Sequence, residues 1–333
     1  MRAVVITKHG DPDVLEVQER PSPQLKAGGV RIAVRAAGVN FADLMARLGL
    51  YPDAPAVPCV VGYEVAGEVT EVAGDVTDVE VGDRVVAGTR FGGYAEEVCV
   101  GRDDVVPLPD ALSFEQGAAI PVNYATAWAG LLGYGSLRAG ERVLVHAAAG
   151  GVGIAATQIA KRTGAEVYGT ASPGKHEAIT GFGVDVALDY TRSGWEKGLP
   201  PFDLVMDAIG GSSLKRSYDL LRPGGRLIAF GASSVVAGEK KNLLKAAPQA
   251  LRMIRGFNAM DQMSDSKAVI GLNMLRLWDD RGTLEPWITP LRALIDDGTV
   301  DPVVSDVVPF DRAADAHRIL TERRNIGKVV LVP

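Results

Sequence analysis

Between Val143 and Gly153 the chain reads VLVHAAAGGVG, an apolar run entering a turn that holds Gly150, Gly151, Val152 and Gly153. Glycines at that spacing, after a buried strand and before a helix, let bare backbone approach a pyrophosphate and let helix and strand pack closely. The helix start then offers uncommitted N–H groups and partial positive charge to phosphates. Ala148 stands where the first glycine of such a turn is usual, so the fingerprint reads Ala148-x-Gly150-x-x-Gly153. In an NAD site the next strand ends, about 20 residues on, in an acid that holds the ribose 2′-hydroxyl. Here that position reads Thr170-Ala171-Ser172-Pro173-Gly174-Lys175, without a carboxylate. Hydroxyls and an ammonium suit a 2′-phosphate that a carboxylate would repel, so Thr170, Ser172 and Lys175 point to NADP.

Other chemistries lack their residues. Zinc takes three or four Cys, His or carboxylate ligands in suitable geometry, whereas Cys59, Cys99 and four scattered His offer no such set. Two cysteines outside any C-x-x-C spacing are too few for a disulfide scaffold and suit a reducing cytoplasm. Lys and Arg total 35 against 41 Asp and Glu, a formal charge of −6 with no basic run, which excludes nucleic acid as a partner. The first residues carry charges every few positions and form no export signal. Charge-free stretches at 116–137 and 143–160 approach membrane-spanning length, but Pro121, Asn123, Thr126 and His146 interrupt them with groups that lipid cannot satisfy. No integral membrane span is expected.

Holding a dinucleotide turn in place requires a parallel sheet, and 333 residues exceed what one core organises, so two domains are expected. The first hundred or so residues read as short β segments at 2–7, 14–18, 30–37, 64–72, 84–88, 94–100 and 105–107, joined by Gly and Pro. Within them, residues 40–48 have helical spacing, with Phe41, Leu44, Met45 and Leu48 on one side. From about Asn123, strands at 142–146, 166–170, 186–189, 204–207, 226–230 and 268–272 alternate with helices at 151–163, 175–182 and 213–221. That alternation predicts an α/β doubly wound parallel sheet. Helix 289–296, strand 303–307, helix 312–320 and strand 328–332 then return to the first domain, since six strands fill the second. The expected division is 1–123 with 273–333, and 124–272.

The segments GVNFADL at 38–44, GLY at 49–51 and GYE at 62–64, together with the AAAGGVG turn, resemble the medium-chain dehydrogenase/reductase superfamily. The whole chain is most similar to its zinc-free quinone oxidoreductase branch. VNYAT at 122–126, GTAS at 169–172, KHEA at 175–178 and NIGK at 325–328 resemble, within that branch, the subfamily named for the synaptic-vesicle amine transport protein. The resemblance implies a GroES-like β-rich catalytic domain beside a Rossmann NADP-binding domain. Zinc members have Cys where this chain has Asn40 and His where it has Tyr63. It further implies that Asn40 and Thr126 lie near the nicotinamide and its ribose, that Tyr190 meets the adenosine phosphate, and that Asn325 is a cofactor contact. It implies pairing into a homodimer through the last Rossmann strand, here about 268–272.

Three functions follow as expectations. The first is an NADPH-dependent reductase of a small-molecule quinone or enone, in which the protein orients two rings and excludes water. The second is an enoyl-thioester reductase, which needs a proton delivered to carbon; Tyr51 resembles the tyrosine that enoyl reductases of this superfamily use there. The third is a non-enzymatic, membrane-associated nucleotide-binding protein. Asp43 reads as a capping or surface carboxylate rather than an acid. Residues 233–264, with Lys240, Lys241, Lys245, Arg252 and Arg255, read as a cleft-lining or dimer element, because Pro248 interrupts a membrane-surface helix.

Overall fold

The computed structural model describes residues 1–235 and 257–333. Residues 236–256 of the stretch expected at 233–264, with Lys240, Lys241, Lys245, Arg252 and Arg255, therefore lie outside the described residues.

The first part of the chain alternates apolar and polar residues and folds into β structure. Strands β1 (Arg2–Ile6) and β2 (Leu15–Glu19) pair antiparallel. The main sheet of this half centres on β3 (Gly29–Val39), which alternates inward Val30, Ile32 and Val34 with more exposed neighbours. After β3 comes helix α1 (Phe41–Arg47), then β4 (Glu64–Val72), β5 (Arg84–Gly88), β6 (Glu97–Gly101) and β7 (Val105–Pro107). Short helices α2 (Phe114–Gly117) and α3 (Pro121–Trp128) lead into the second half.

There the βαβ pattern takes over. The elements are β8 (Arg142–Val145), α4 (Gly151–Arg162), β9 (Glu166–Ala171), α5 (His176–Gly181), β10 (Val186–Asp189), β11 (Phe202–Asp207), α6 (Ser212–Asp219) and β12 (Leu221–Ala229). Helix α7 (Ala259–Asp265) and strand β13 (Ala268–Gly271) follow. All six strands run parallel in the order β10-β9-β8-β11-β12-β13. The order reverses between β8 and β11, and ligands of such sheets bind beyond the strand ends at that reversal. The chain continues through α8 (Met274–Arg281), α9 (Glu285–Asp296), β14 (Val304–Pro309), α10 (Ala313–Thr321) and β15 (Lys328–Val332). Strand β15 inserts between β14 and β3, so the last segment completes the first sheet.

Several elements differ from the sequence reading. Helix α9 starts four residues before the expected 289, because Pro286 suits a first helical turn. Strand β12 starts at Leu221 rather than 226, with a register shift against β11 absorbing the Pro-Gly-Gly. Helix α3 was hidden in a charge-free run without a helical period. The short α8 is set by Asn273, whose side chain accepts from the Leu275 N–H at 3.0 Å. One continuous apolar core joins the two sheets, running from Ala66 and Val86 through Tyr124 on α3 to Val143, Leu204 and Ile228. Fully burying one large apolar side chain contributes about 1.5–3 kcal/mol, so this shared core fixes how the two halves meet.

Candidate functional site

The glycine turn lies where β8 ends. His146 donates its backbone N–H to Met206 on β11, and Ala147 takes a left-handed backbone with φ 54°. Its three glycines serve different purposes. A Cβ on Gly153 would lie 2.3 Å from the Ala147 carbonyl oxygen, and one on Gly151 would lie 2.4 Å from Asn123 Nδ2 on α3, so both permit close packing. Around Gly150 the nearest atom is the Ala147 oxygen at 3.3 Å, leaving bare backbone open to a ligand. Ala148 is tolerated in place of the usual first glycine because the facing strand is relieved instead: a Cβ on Gly169 would come 2.8 Å from that of Ala148. Gly150 caps α4 without a side-chain hydrogen bond, so the first N–H groups of α4, at Gly151, Val152 and Gly153, are presented to an anion. These features fit a dinucleotide pyrophosphate.

Behind the turn, Thr170 is buried and its hydroxyl accepts from the Ala147 N–H at 3.2 Å. The same oxygen lies 3.2 Å from His146 Nδ1, whose Nε2 is 3.0 Å from Ser217 Oγ; Ser217 in turn donates to Asp207 at 2.7 Å. Burial pushes the His146 imidazole below its ordinary pKa, despite the opposing pull of Asp207. Thr170 thus braces the turn, and no carboxylate follows it on β9.

Ser172 is half-buried at the end of β9 and accepts the Lys175 N–H through its carbonyl at 2.9 Å. Lys175 Nζ donates to the carbonyls of Arg323 at 2.8 Å and Asn325 at 2.6 Å, which ties the loop before β15 to the turn after β9. Burial lowers its pKa, with Arg323 adding to the effect. Asn325 Nδ2 donates to the Gly327 carbonyl at 2.8 Å, and Gly327 donates to Ala149 at 2.8 Å, bridging the loop to Gly150. Asn325, Lys175 and the glycine turn therefore meet at one place. Tyr190 stands at the rim beyond β10, 40 % exposed, and Thr126 is buried on α3.

Asn40 follows β3 and caps α1. Its Nδ2 donates to Glu64 Oε1 at 3.0 Å and to the Gly38 carbonyl at 3.3 Å. Its Oδ1 accepts from Lys328 Nζ at 2.6 Å, and Lys328 also pairs with Glu64. Glu64 Oε2 accepts from the Val122 N–H at 2.7 Å. Glu64 and Lys328 stood in the sequence within the GYE and NIGK segments without a role, since nothing there signals that residues 264 apart form a buried ion pair.

Asp43 corrects the sequence reading in part. It does close back on Asn40, accepting its N–H at 2.8 Å in a capping arrangement, but it is fully buried rather than on the surface. Tyr94 Oη donates to it at 2.8 Å and the Gly62 N–H at 3.1 Å. Burial pushes its pKa up to about 7, against the lowering effect of those hydrogen bonds and of Lys328.

Tyr51 is half-buried and stands edge-on to Tyr63 at 6.3 Å, and Tyr63 meets Phe91 at 5.3 Å. These rings make an aromatic wall. Burial, with Asp53 and Asp43 nearby, pushes the Tyr51 phenol up to about 12, so it stays protonated at neutral pH. A cavity of about 370 Å³ beside Arg90, Phe91 and Trp278 is lined by neither Asn40, Tyr51 nor the glycine turn. Among the described residues no group of three or more His, Cys, Asp or Glu could hold a metal ion, and no helix is long and apolar enough to cross a membrane.

Residues 26–110 match the family described as alcohol dehydrogenase GroES-like domain, and residues 182–331 the one described as zinc-binding dehydrogenase. The synaptic vesicle membrane protein VAT-1 homolog of Rattus norvegicus is 39% identical over 341 residues, covering 100% of this chain and 84% of that protein. The CurK enoyl reductase structure superposes with a TM-score of 0.85 at 26% identity, covering 99% of this chain and 98% of that one. Escherichia coli quinone oxidoreductase in complex with NADPH superposes with a TM-score of 0.83 at 28% identity over 100% of both chains. On these likenesses, the chain belongs to the medium-chain dehydrogenase/reductase superfamily, in the VAT-1-like group of its quinone oxidoreductase branch.

Proposed function

We propose that this oxidoreductase uses NADPH, without zinc, to reduce a quinone or an α,β-unsaturated carbonyl. The observation that carries the cofactor half is the end of β9, where Thr170, Ser172 and Lys175 stand in place of an acid beside an open glycine turn. A carboxylate there would repel a 2′-phosphate, and the Lys175 ammonium attracts one. The NADPH complex of the quinone oxidoreductase neighbour supports the same choice. The bound dihydronicotinamide supplies the hydride. The chain's own residues hold phosphates at the start of α4, brace the turn through Thr170, and exclude water with Tyr51, Tyr63 and Phe91. A quinone can take its protons from solvent, so such a substrate asks only for that positioning. Both cysteines are free thiols, which supports a reducing, cytoplasmic setting.

The likeness to CurK enoyl reductase favours a second reading, reduction of an enoyl thioester, in which Tyr51 delivers a proton to carbon. Quinones, enones and enoyl thioesters assayed with NADPH and NADH decide between the two. NADPH is expected to bind more tightly than NADH, and equal affinities would remove the cofactor assignment. If Tyr51 is the proton donor, Tyr51→Phe lowers enone or thioester reduction roughly 10²–10⁴-fold and leaves quinone reduction near wild type. Small, equal losses on both would leave Tyr51 as a wall of the cleft.

A further inference from the structure

The buried hydrogen bonds behind the glycine turn have a direction, which can be read from one end. Asp207, at the close of β11, accepts the Ile209 and Gly210 N–H groups on Oδ1 and the Ser217 hydroxyl on Oδ2. Ser217 has then given its only hydrogen. Toward His146 Nε2, at 3.0 Å, it can only accept, so Nε2 carries the imidazole hydrogen. Burial holds His146 below its ordinary pKa, so the ring is neutral and Nδ1 is bare. Nδ1 therefore accepts the Thr170 hydroxyl hydrogen at 3.2 Å. That leaves the Thr170 oxygen to accept, and what it accepts is the Ala147 N–H at 3.2 Å. All four side chains are buried.

The receiving end is the strained residue of the turn. Ala147 holds a left-handed backbone, φ 54°, which a residue with a Cβ takes up only at a cost. The neighbouring N–H groups go to main-chain carbonyls, His146 to Met206 and Ala148 to Thr170, whereas that of Ala147 is held by a side chain. The Ala147 carbonyl in turn accepts the Gly150 N–H at 2.9 Å, which closes the turn from within.

We propose that Asp207, Ser217 and His146 are positioning residues that aim the Thr170 hydroxyl at Ala147, hold that residue left-handed, and so keep the glycine turn in the shape a pyrophosphate requires. Residues of β11 and α6 thereby govern affinity for the dinucleotide. With its hydrogen given to His146, Thr170 has none for a 2′-phosphate, which falls to Ser172 and Lys175. The relay rests on the NADPH reading above only in that a dinucleotide lies on the turn.

Calorimetric titration with NADPH, NADH and adenosine 2′-monophosphate, which has no pyrophosphate, tests it without any turnover. Thr170→Val keeps the side chain's shape and removes its hydroxyl. It is expected to weaken NADPH roughly three- to tenfold, the weight of one neutral hydrogen bond, and to leave the monophosphate unchanged. Ser217→Ala breaks the relay at its far end and should show the same selectivity; adding it to Thr170→Val should cost no further affinity, since both act through one bond. Ala147→Gly identifies that bond. Glycine takes the left-handed backbone freely, and Ala147 is exposed, so adding this change to either variant should restore most of the lost affinity. A merely structural network would weaken both ligands alike and gain nothing from glycine. Equal losses, no loss, or no recovery overturn the inference, and Ser217→Ala with Ala147→Gly decides even if Thr170→Val does not fold. A wild type that prefers NADH removes the NADPH reading alone, because NADH carries the same pyrophosphate and its titrations then judge the relay. A wild type that binds neither removes both.

Discussion

Asp43 titrates near neutrality because the fold surrounds it with protein instead of water, and that makes stability depend on pH in an unusual direction. Its carboxyl moves from an ordinary 3.8 to about 7, so between those values the folded chain binds a proton that the unfolded chain has released. Stability from this group is therefore greatest in acid, declines as pH rises from about 4 to 7, and is level above that. Carboxylates paired to arginine, such as Asp279 with Arg90, are shifted down and act with the opposite sign. The quantity to measure is the difference between wild type and Asp43→Asn in urea denaturation across pH 4–8. Asparagine cannot accept from both Gly62 and the Asn40–Tyr94 pair, and should cost roughly 1–3 kcal/mol for the unsatisfied donor. The difference curve should slope through that window; parallel curves would show that Asp43 keeps its charge throughout.

At the level of elements, the glycine turn separates two uses of the same residue type. Gly153→Ala would force a Cβ to 2.3 Å from the Ala147 oxygen and 2.7 Å from Ala148 Cα, pushing α4 off β8. A destabilisation of about 1–3 kcal/mol is expected in thermal melts, with loss of nucleotide binding. Gly150→Ala meets nothing closer than 3.3 Å and keeps an ordinary φ of −84°, so stability should change by less than about 1 kcal/mol. It should nonetheless weaken NADPH at least tenfold by filling the space that bare backbone leaves. A variant with unchanged affinity would show that phosphate does not approach at Gly150. The turn was legible in the sequence because its logic is local: strand, glycines and helix follow one another within a dozen or so residues. The buried cluster of Asn40, Glu64 and Lys328 was not. Asn40 is visible as a helix cap, but Glu64 lies 24 residues on and Lys328 lies 288 residues on. The pairing of β3 with both β4 and β15 brings them together, and periodicity says nothing about which strands will be neighbours. Lys175 shows a further limit, since its type suggested a phosphate but not the two carbonyls that hold it.

For the molecule as a whole, the two halves are joined by core rather than by charge. The ion pair Arg162–Asp297 links the parallel-sheet half to the chain's last segment at the surface, where such a contact contributes at most about 1 kcal/mol. Among the described residues β13 is an edge strand, paired to β12 alone, as β10 is at the far side of the same sheet. An open strand edge invites association, and a two-fold copy pairing β13 with β13 would close it. Light scattering at micromolar concentration should give twice the chain mass of 35.1 kDa, and a clean single-chain mass would rule the pairing out. The insertion of β15 between β14 and β3 also bears on how the chain acquires its shape during synthesis. The parallel sheet has all its strands by Gly271 and can form while the ribosome is still elongating. The first sheet cannot close until residues 328–332 emerge, and until then β3 has an open flank along residues 37–39. The half made first is thus the half finished last. The interval between the two is when the nascent protein most needs protection from its own unpaired strands.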